Sequence, residues 1–377
     1  MVAGKLPPVP DLVAIDMPAG PEWVEHLKRV WDAGDAVLPV DQRLAPPARA
    51  ALLDALGPAR IVTPAGTAVR AGGVPTEDGD ALVVATSGTT GAYKGVVLTH
   101  RAVRASAAAT SARLGVEPDR HRWLACLPLS HVGGLSVVTR ALVTGTGLDV
   151  LPGFDAEAVM VRASTDTLVS LVPTALRRVP ALLFRTVVLG GSAPPDALPA
   201  NVVTTYGMTE TGSGVVYDGV PLEGVEVEVD AATAEIRLRG PMLLRAYRDG
   251  TVPLDAGGWL ATGDAGALDE QGRLRVEGRL ADLIITGGEN VWPAPVEAIL
   301  RRHPAVAEVA VAGRPDPEWG QRVVAFVVAE RGRPAPSLQD LRAMVGDQLA
   351  PYAAPRELHV VDRLPTTALG KVQRGRL

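Results

Sequence analysis

With 377 residues, 47% of them hydrophobic, the chain can bury two or three cores, which excludes disorder over most of its length. A net charge of −5 gives no general attraction to nucleic acid or an anionic membrane, so any anion must be held by a local site. The single cysteine, Cys126, excludes an intrachain disulfide and a zinc site of several thiolates. Set in the apolar run WLACLPL, it reads as a small buried hydrophobe. The amino-terminal MVAGKLPPVP lacks the apolar stretch of a signal peptide, and no run of about 18 uncharged apolar residues follows. A cytoplasmic protein without membrane insertion is expected.

Residues 1–80 alternate short apolar segments with proline-rich breaks and predict helices over Pro21–Ala33 and Pro47–Leu56; no chemistry is legible in them. Then LVVATSGTTGAYKGVVLTH, Leu82 to His100, opens apolar, breaks into hydroxyls and glycines, and closes apolar, predicting strand, loop, strand. Thr86, Ser87, Thr89 and Thr90 are interleaved with Gly88, Gly91 and Gly95, and Lys94 is the only charge. Hydroxyls and glycine-freed backbone N–H groups donate to phosphate oxygens, and the lysine adds positive charge. The segment is a candidate polyphosphate cradle. It is not a Walker loop, because Gly91 is followed by Ala92, Tyr93, Lys94 and Gly95. Composition alone would make it a surface loop of turn formers.

Downstream, the pattern predicts a helix over His100–Leu114 and a strand at 123–129. A helix from Val132 to Leu142, a strand at Leu148–Leu151 and a helix near Ala156–Ala163 follow, then strands at 167–173, 186–191 and 202–207. Such runs indicate a parallel or mixed sheet covered on both faces, whose ligands gather at the carboxyl ends of strands. Gly190, Gly191, Ser192, Ala193 and Pro194 follow one such end; Tyr206, Gly207, Met208, Thr209 and Glu210 follow another. Either alone is an ordinary turn. His131, in PLSHVGGLS, follows a third strand, where a lone histidine is ordinarily structural. From Val225 to Arg279 the pattern alternates with period two, predicting a small antiparallel subdomain that contains Asp264 in TGD and Arg279 in GRLAD. The remainder predicts a strand, a turn at Gly287 and Gly288, a helix entered at Pro293, two strands, a helix over Leu338–Leu349 and a last strand. In the tail, LPTTALGKVQRGRL, Lys371 taken alone would be a solvated charge.

TSGTTGAYKG resembles the phosphate loop of the adenylate-forming superfamily, which includes acyl-CoA ligases, luciferases and amino-acid adenylation domains; Tyr93 stands where that family usually has proline. GGSAPP resembles its adenine-contacting turn and YGMTETG its tyrosine-to-glutamate signature, and TGD, GRLAD and PTTALGK follow in the family's order. The resemblance implies an α/β fold. A large N-terminal domain of mixed and parallel sheets covered by helices, with a small antiparallel subdomain, would occupy 1–280, trimmed at its start. A small mobile α+β C-terminal domain would occupy 281–377, with Ala281 at a hinge where the family has a polar residue. ATP, Mg2+ and coenzyme A are implied, with a small carboxylic acid as partner and no nucleic acid; a homodimer is one open assembly. Carried over residue by residue, Thr86, Ser87, Gly88, Thr89, Thr90, Gly91 and Lys94 would hold phosphates. Gly191, Ser192, Ala193, Pro194, Tyr206 and Gly207 would frame adenine, Thr209 would meet phosphate, and Glu210 would bind magnesium. Asp264 and Arg279 would take the ribose, and Gly287 and Gly288 would border the pantetheine arm. His131 would line the acyl pocket and gate the thiol, and Lys371 would be the catalytic lysine.

Within the superfamily, the short length and the strings PLSHVGGLSVVTRAL and LVPTALRRV resemble the 2-succinylbenzoate–CoA ligases of menaquinone biosynthesis. Arg140, in an otherwise apolar helix, would then face the second carboxylate of such a substrate. The bland alternative is an arginine whose head reaches solvent. Rival expectations are a ligase for another aryl or medium-chain acid, an adenylating domain that loads a carrier protein, and a nucleotide-binding pseudoenzyme, against which intact Lys371 and Glu210 argue. A serine hydrolase lacks its G-x-S-x-G elbow.

Overall fold

Short apolar runs bounded by glycine, proline or charge become the strands, and Leu12–Ile15, Ala36–Pro39, Thr167–Leu171 and Thr186–Leu189 are buried at every residue, as strands covered on both faces must be. The computed structural model describes residues 9–87, 93–195, 197–366 and 372–377. By packing, the chain divides into two units, 1–227 with 238–260 and 228–237 with 261–377.

The first unit holds two seven-stranded sheets. One runs in the order Ala246–Tyr247, Tyr93–Thr99, Asp80–Ser87, Ala36–Pro39, Leu12–Ile15, Arg60–Thr63 and Gly66–Val69. The other runs Val220–Pro221, Gly214–Tyr217, Val202–Gly207, Thr186–Leu189, Thr167–Leu171, Arg122–Ala125 and Gly147–Val150. From Val202–Gly207 to Gly147–Val150 this second sheet is parallel throughout, so five carboxyl ends share one edge. The helices Pro21–Asp32 and Pro46–Leu56 begin on proline, whose fixed φ suits a first turn. His100–Arg113 is capped by Thr99, whose Oγ1 accepts from the Ala102 N–H at 3.1 Å.

Helix Val132–Thr144 runs two residues past its expected end and stops at Gly145, in the left-handed region. Its residues 134–141 are all buried. It is therefore a core helix, which carries Arg140 inward with it. Cys126 is 1% exposed, and burial pushes its thiol up to about 12. A thiol reagent is expected to modify Cys126 only as the protein unfolds; labelling at the same rate in native buffer and in denaturant would refute this burial.

Glu226–Val229, Glu235–Arg239, Leu260–Leu268 and Leu274–Arg279 form the expected small sheet in that order, its last pair antiparallel; all but residues 226–227, 238–239 and 260 belong to the second unit, and Glu235–Arg239 alternates buried with half-buried residues. A five-stranded sheet follows, ordered Glu289–Val291, Ile284–Thr286, Gly320–Ala329, Val306–Asp316, with Glu357–Val360 paired parallel to Gly320–Ala329. Helices Pro293–Leu300 and Leu338–Gly346 pack Val296, Leu300, Leu341 and Val345 against Val309, Val311 and Val323. A large α/β portion followed by a smaller α+β portion is thus the architecture. Packing joins most of the small sheet to the C-terminal part, and Ala281 lies within the second unit, in the short turn Leu280–Asp282. Among the described residues no helix is long and apolar enough to cross a membrane.

Candidate active site

Because the strands of the second sheet are parallel, the segments leaving Arg122–Ala125, Thr186–Leu189 and Val202–Gly207 emerge along one edge. They carry His131, Gly190 to Pro194, and Tyr206 to Glu210. Gly191 has φ +89, and Gly191, Ser192, Ala193 and Pro194 are exposed, so their backbone is open to a ligand. Tyr206 is half-buried at its strand end. A β-carbon on Gly207 would lie 2.2 Å from the Ser213 carbonyl oxygen. Only glycine lets the chain fold back on Gly214 there, which sets Thr209 and Glu210 in a tight turn at the sheet's end.

The first sheet delivers the cationic side. Thr86 and Lys94 lie directly opposite each other in the hairpin of Asp80–Ser87 and Tyr93–Thr99, so both stand on strands rather than in the loop expected for them. Gly88, Thr89, Thr90 and Gly91 lie outside the described residues. Strand Ala246–Tyr247 pairs with Val96 and Val97, and from it the Tyr247 hydroxyl donates to Glu210 Oε1 at 3.0 Å. The Lys94 ammonium lies 5.1 Å from the centroid of the same ring. Lys94, the candidate phosphate ligand, and Glu210, the candidate metal carboxylate, thus flank one tyrosine. Glu210 is a hard oxygen donor, and among the described residues no group of three His, Cys, Asp or Glu side chains could hold a metal ion. The site therefore fits a hard cation only when a polyphosphate supplies most of the ligand oxygens.

In the same unit an apolar pocket is lined by Leu82, Leu98, Val103, Leu135 and Met242, with the hydroxyls of Ser106, Ser136 and Thr139. Arg140 stands behind this wall, 2% exposed. Its Nη2 donates to Ser213 Oγ at 2.8 Å and to the Tyr217 hydroxyl at 3.4 Å, its Nη1 to Ser170 Oγ at 3.5 Å, and its guanidinium sits 5.2 Å from the Trp123 ring centroid. The solvent-reaching alternative is thereby excluded. Among the described residues no carboxylate pairs with Arg140, and its Nε has no partner. Ser213 in turn lies 3.3 Å from the pocket-lining Ser106 hydroxyl.

His131 precedes the first turn of the core helix. Its Nε2 is 3.1 Å from Arg43 Nη2 and 3.4 Å from Asp41 Oδ2, while Arg43 grips Asp41 through Nε at 2.8 Å and Nη2 at 2.6 Å. Arg43 can only donate and Asp41 can only accept, so the two neighbours of Nε2 favour opposite protonation states of that nitrogen. These two partners come from the first 80 residues, where no chemistry was legible. The string DQR carries no motif, and the contact spans 88 positions, so nothing local could have revealed it. Burial pushes the Asp41 carboxyl up, but the Arg43 bonds more than reverse this and bring it down to about 2. Burial lowers His131, as it lowers His100 and His121. Below the ordinary histidine value of 6.5 the unfolded chain binds protons that the folded chain refuses, so this contribution is whole above that pH and is lost as pH falls through it. The unfolding midpoint is expected to drop between about pH 7 and pH 5, and less steeply in His131→Gln; identical slopes would remove His131 from the account.

In the second unit, Asp264 is 7% exposed and lies directly opposite Arg279, whose Nε is 2.8 Å from Asp264 Oδ1 and whose Nη1 donates to the Thr262 carbonyl at 3.2 Å. Gly287 and Gly288 form a two-residue hairpin turn with φ +60 and +83, and the ring of Trp319 fills the space a Gly287 side chain would need. Turn geometry alone therefore accounts for both glycines. Lys371 lies outside the described residues. Around it, Thr366 bridges Val372 and the Gln373 N–H donates to the Pro365 carbonyl at 2.8 Å. Arg374 donates to Glu297 Oε1 at 2.6 Å, Asp282 Oδ2 at 3.1 Å and the Val311 carbonyl at 3.1 Å. The stem beside the lysine is thus anchored.

Residues 72–247 match the model of the AMP-binding enzyme family and residues 295–371 that of the AMP-binding enzyme C-terminal domain. A probable 2-succinylbenzoate–CoA ligase of Mycobacterium tuberculosis is 43% identical over 331 residues, which cover 81% of this chain and 85% of that protein. The chain belongs to the AMP-binding enzyme family. A second relative, 2-succinylbenzoate–CoA ligase of Listeria monocytogenes, is 35% identical over 79% of this chain and 69% of its own. Among solved structures, the o-succinylbenzoate CoA synthetase of Bacillus subtilis in complex with the acyl-adenylate intermediate OSB-AMP superposes with a TM-score of 0.85 at 29% identity, covering 97% of this chain and 87% of that one. As a member of this family, the chain is an ATP-dependent acyl-CoA synthetase that acts through an acyl-adenylate.

Proposed function

We propose that this enzyme ligates 2-succinylbenzoate to coenzyme A in menaquinone biosynthesis, in the cytoplasm. Arg140 carries the reading: a guanidinium, 2% exposed and without a carboxylate partner among the described residues, behind an apolar pocket. A buried charge is costly unless something anionic compensates it. The second carboxylate of a dicarboxylic substrate is such a group. Similarity to proteins named as ligases for this acid supports the choice.

In the first half-reaction a carboxylate oxygen bonds to the α-phosphorus of ATP and the bond to the departing pyrophosphate breaks. Thr86, Ser87, Gly88, Thr89, Thr90, Gly91, Lys94 and Thr209 hold the phosphates, and Lys371 offsets charge growing on the transferring oxygens. Glu210 would hold Mg2+, which neutralises phosphate charge when bound. Tyr206 packs on adenine within the frame of Gly191, Ser192, Ala193, Pro194 and Gly207, while Asp264 and Arg279 meet the ribose. In the second half-reaction the coenzyme A sulfur bonds to the acyl carbon, its proton is lost, and AMP leaves. Rotation about Ala281 withdraws Lys371 and brings Gly287 and Gly288 to the pantetheine arm, while His131 gates the thiol's entry.

Pyrophosphate release with succinylbenzoate, benzoate, octanoate and free amino acids tests the substrate. Turnover is expected with the first; strong turnover with any of the others and none with succinylbenzoate would remove this assignment. A phosphopantetheinylated carrier preferred over coenzyme A as acceptor would redirect the second step.

A further inference from the structure

Tyr247 is bound on three sides. Its hydroxyl donates to Glu210 Oε1 at 3.0 Å, its ring lies 5.1 Å from the Lys94 ammonium, and its backbone pairs with Val96, two residues after that lysine. The segment around it is bolted down. The Leu244 N–H donates to the Glu210 carbonyl at 2.7 Å, and Arg245 forks onto Asp80, whose side chain is fully buried, with both bonds at 2.9 Å. Arg248 donates to the carbonyls of Leu56, Pro75 and Val74.

Sheet pairing alone would not need a hydroxyl here. The edge position of Ala246–Tyr247 is served by any β-compatible residue. A tyrosine meets two demands at once, donating to a carboxylate at its tip and offering its π-face to a cation. We propose that Tyr247 is a positioning residue that holds the Glu210 carboxylate and the Lys94 ammonium at one fixed spacing, so that a cation and the polyphosphate it bridges find both groups already in place. The inference rests on the nucleotide roles given above to Glu210 and Lys94.

Tyr247→Phe keeps the ring and removes the donor, while Tyr247→Leu removes both. Mn2+ binding in the presence of ATP, read by electron paramagnetic resonance, and metal-free ATP binding, read by calorimetry, separate the two contacts without turnover. Tyr247→Phe is expected to weaken Mn2+ about tenfold, the worth of a hydrogen bond to a charged group, with metal-free ATP affinity kept within about twofold. Tyr247→Leu is expected to weaken both. In Glu210→Gln the further change Tyr247→Phe is expected to cost nothing more, because the partner has already been altered. Wild-type Mn2+ affinity in Tyr247→Phe, or an equal loss of Mn2+ and metal-free ATP in that variant, overturns the proposal. Wild-type Mn2+ affinity in Glu210→Gln overturns the cation role of Glu210 itself, and the proposal with it.

Discussion

Lys371→Ala is expected to slow adenylate formation by about 10²–10³-fold, the usual cost of removing one preorganised donor from developing oxyanion charge. Thioester formation from presynthesised acyl-adenylate should stay within a few-fold of wild type. The asymmetry comes from where charge grows. In the first step it builds on the phosphoryl and carboxylate oxygens, which one ammonium can neutralise; in the second the nucleophile is a thiolate attacking an activated carbonyl. The stem beside the lysine is held independently, by the Thr366–Val372 bridge and by Arg374 on Glu297 and Asp282, so the substitution should leave the fold intact. Pyrophosphate release measures the first step and thioester formation the second. Equal loss in both would contradict the two-step division of labour.

Arg140→Met is expected to move activity and stability in opposite directions. Activity with succinylbenzoate should fall by about 10²-fold or more, because a site built around a charged partner discriminates strongly once that partner is lost. Stability should hold or rise. The guanidinium is buried against Ser170, Ser213, Tyr217 and the Trp123 ring, with one nitrogen unpaired and no counter-charge among the described residues. Replacing such a charge by an unbranched apolar side chain of similar length removes the desolvation cost of a buried ion, on the order of several kcal/mol, which offsets the loss of its bonds to the Ser213 and Tyr217 hydroxyls. An arginine retained only to build the core would show the reverse, a lower unfolding midpoint with unchanged choice of acid. Thermal unfolding and kcat/KM for succinylbenzoate against benzoate, measured on one preparation, separate the cases.

Much of the fold was readable because its signals are local. Pro21 and Pro293 open helices as expected, the helix expected from Pro47 opens one residue earlier at Pro46, and the five parallel strands of the second sheet coincide with apolar runs whose ends shift by a few residues. The small sheet followed from period-two alternation, although its union with the C-terminal part did not. Candidate ligands were readable for a related reason: glycine, hydroxyl and carboxylate clusters at strand ends are written in consecutive letters. Thr86 and Lys94 illustrate the limit, since membership of one motif did not reveal that they pair across a hairpin.

Sequence by itself determined which segments become strands and helices, which strand ends bear polar groups, and that one lysine waits near the tail. Those are properties of neighbours along the chain, set by backbone propensity and by the period of apolar residues. Tertiary structure alone decided that Arg43 and Asp41 meet His131, that Tyr247 joins Glu210 to Lys94, and that Arg140 faces inward. Each is a contact between residues far apart in the chain or a burial imposed by neighbouring layers, and chain order constrains neither, because packing brings side chains together according to shape and charge.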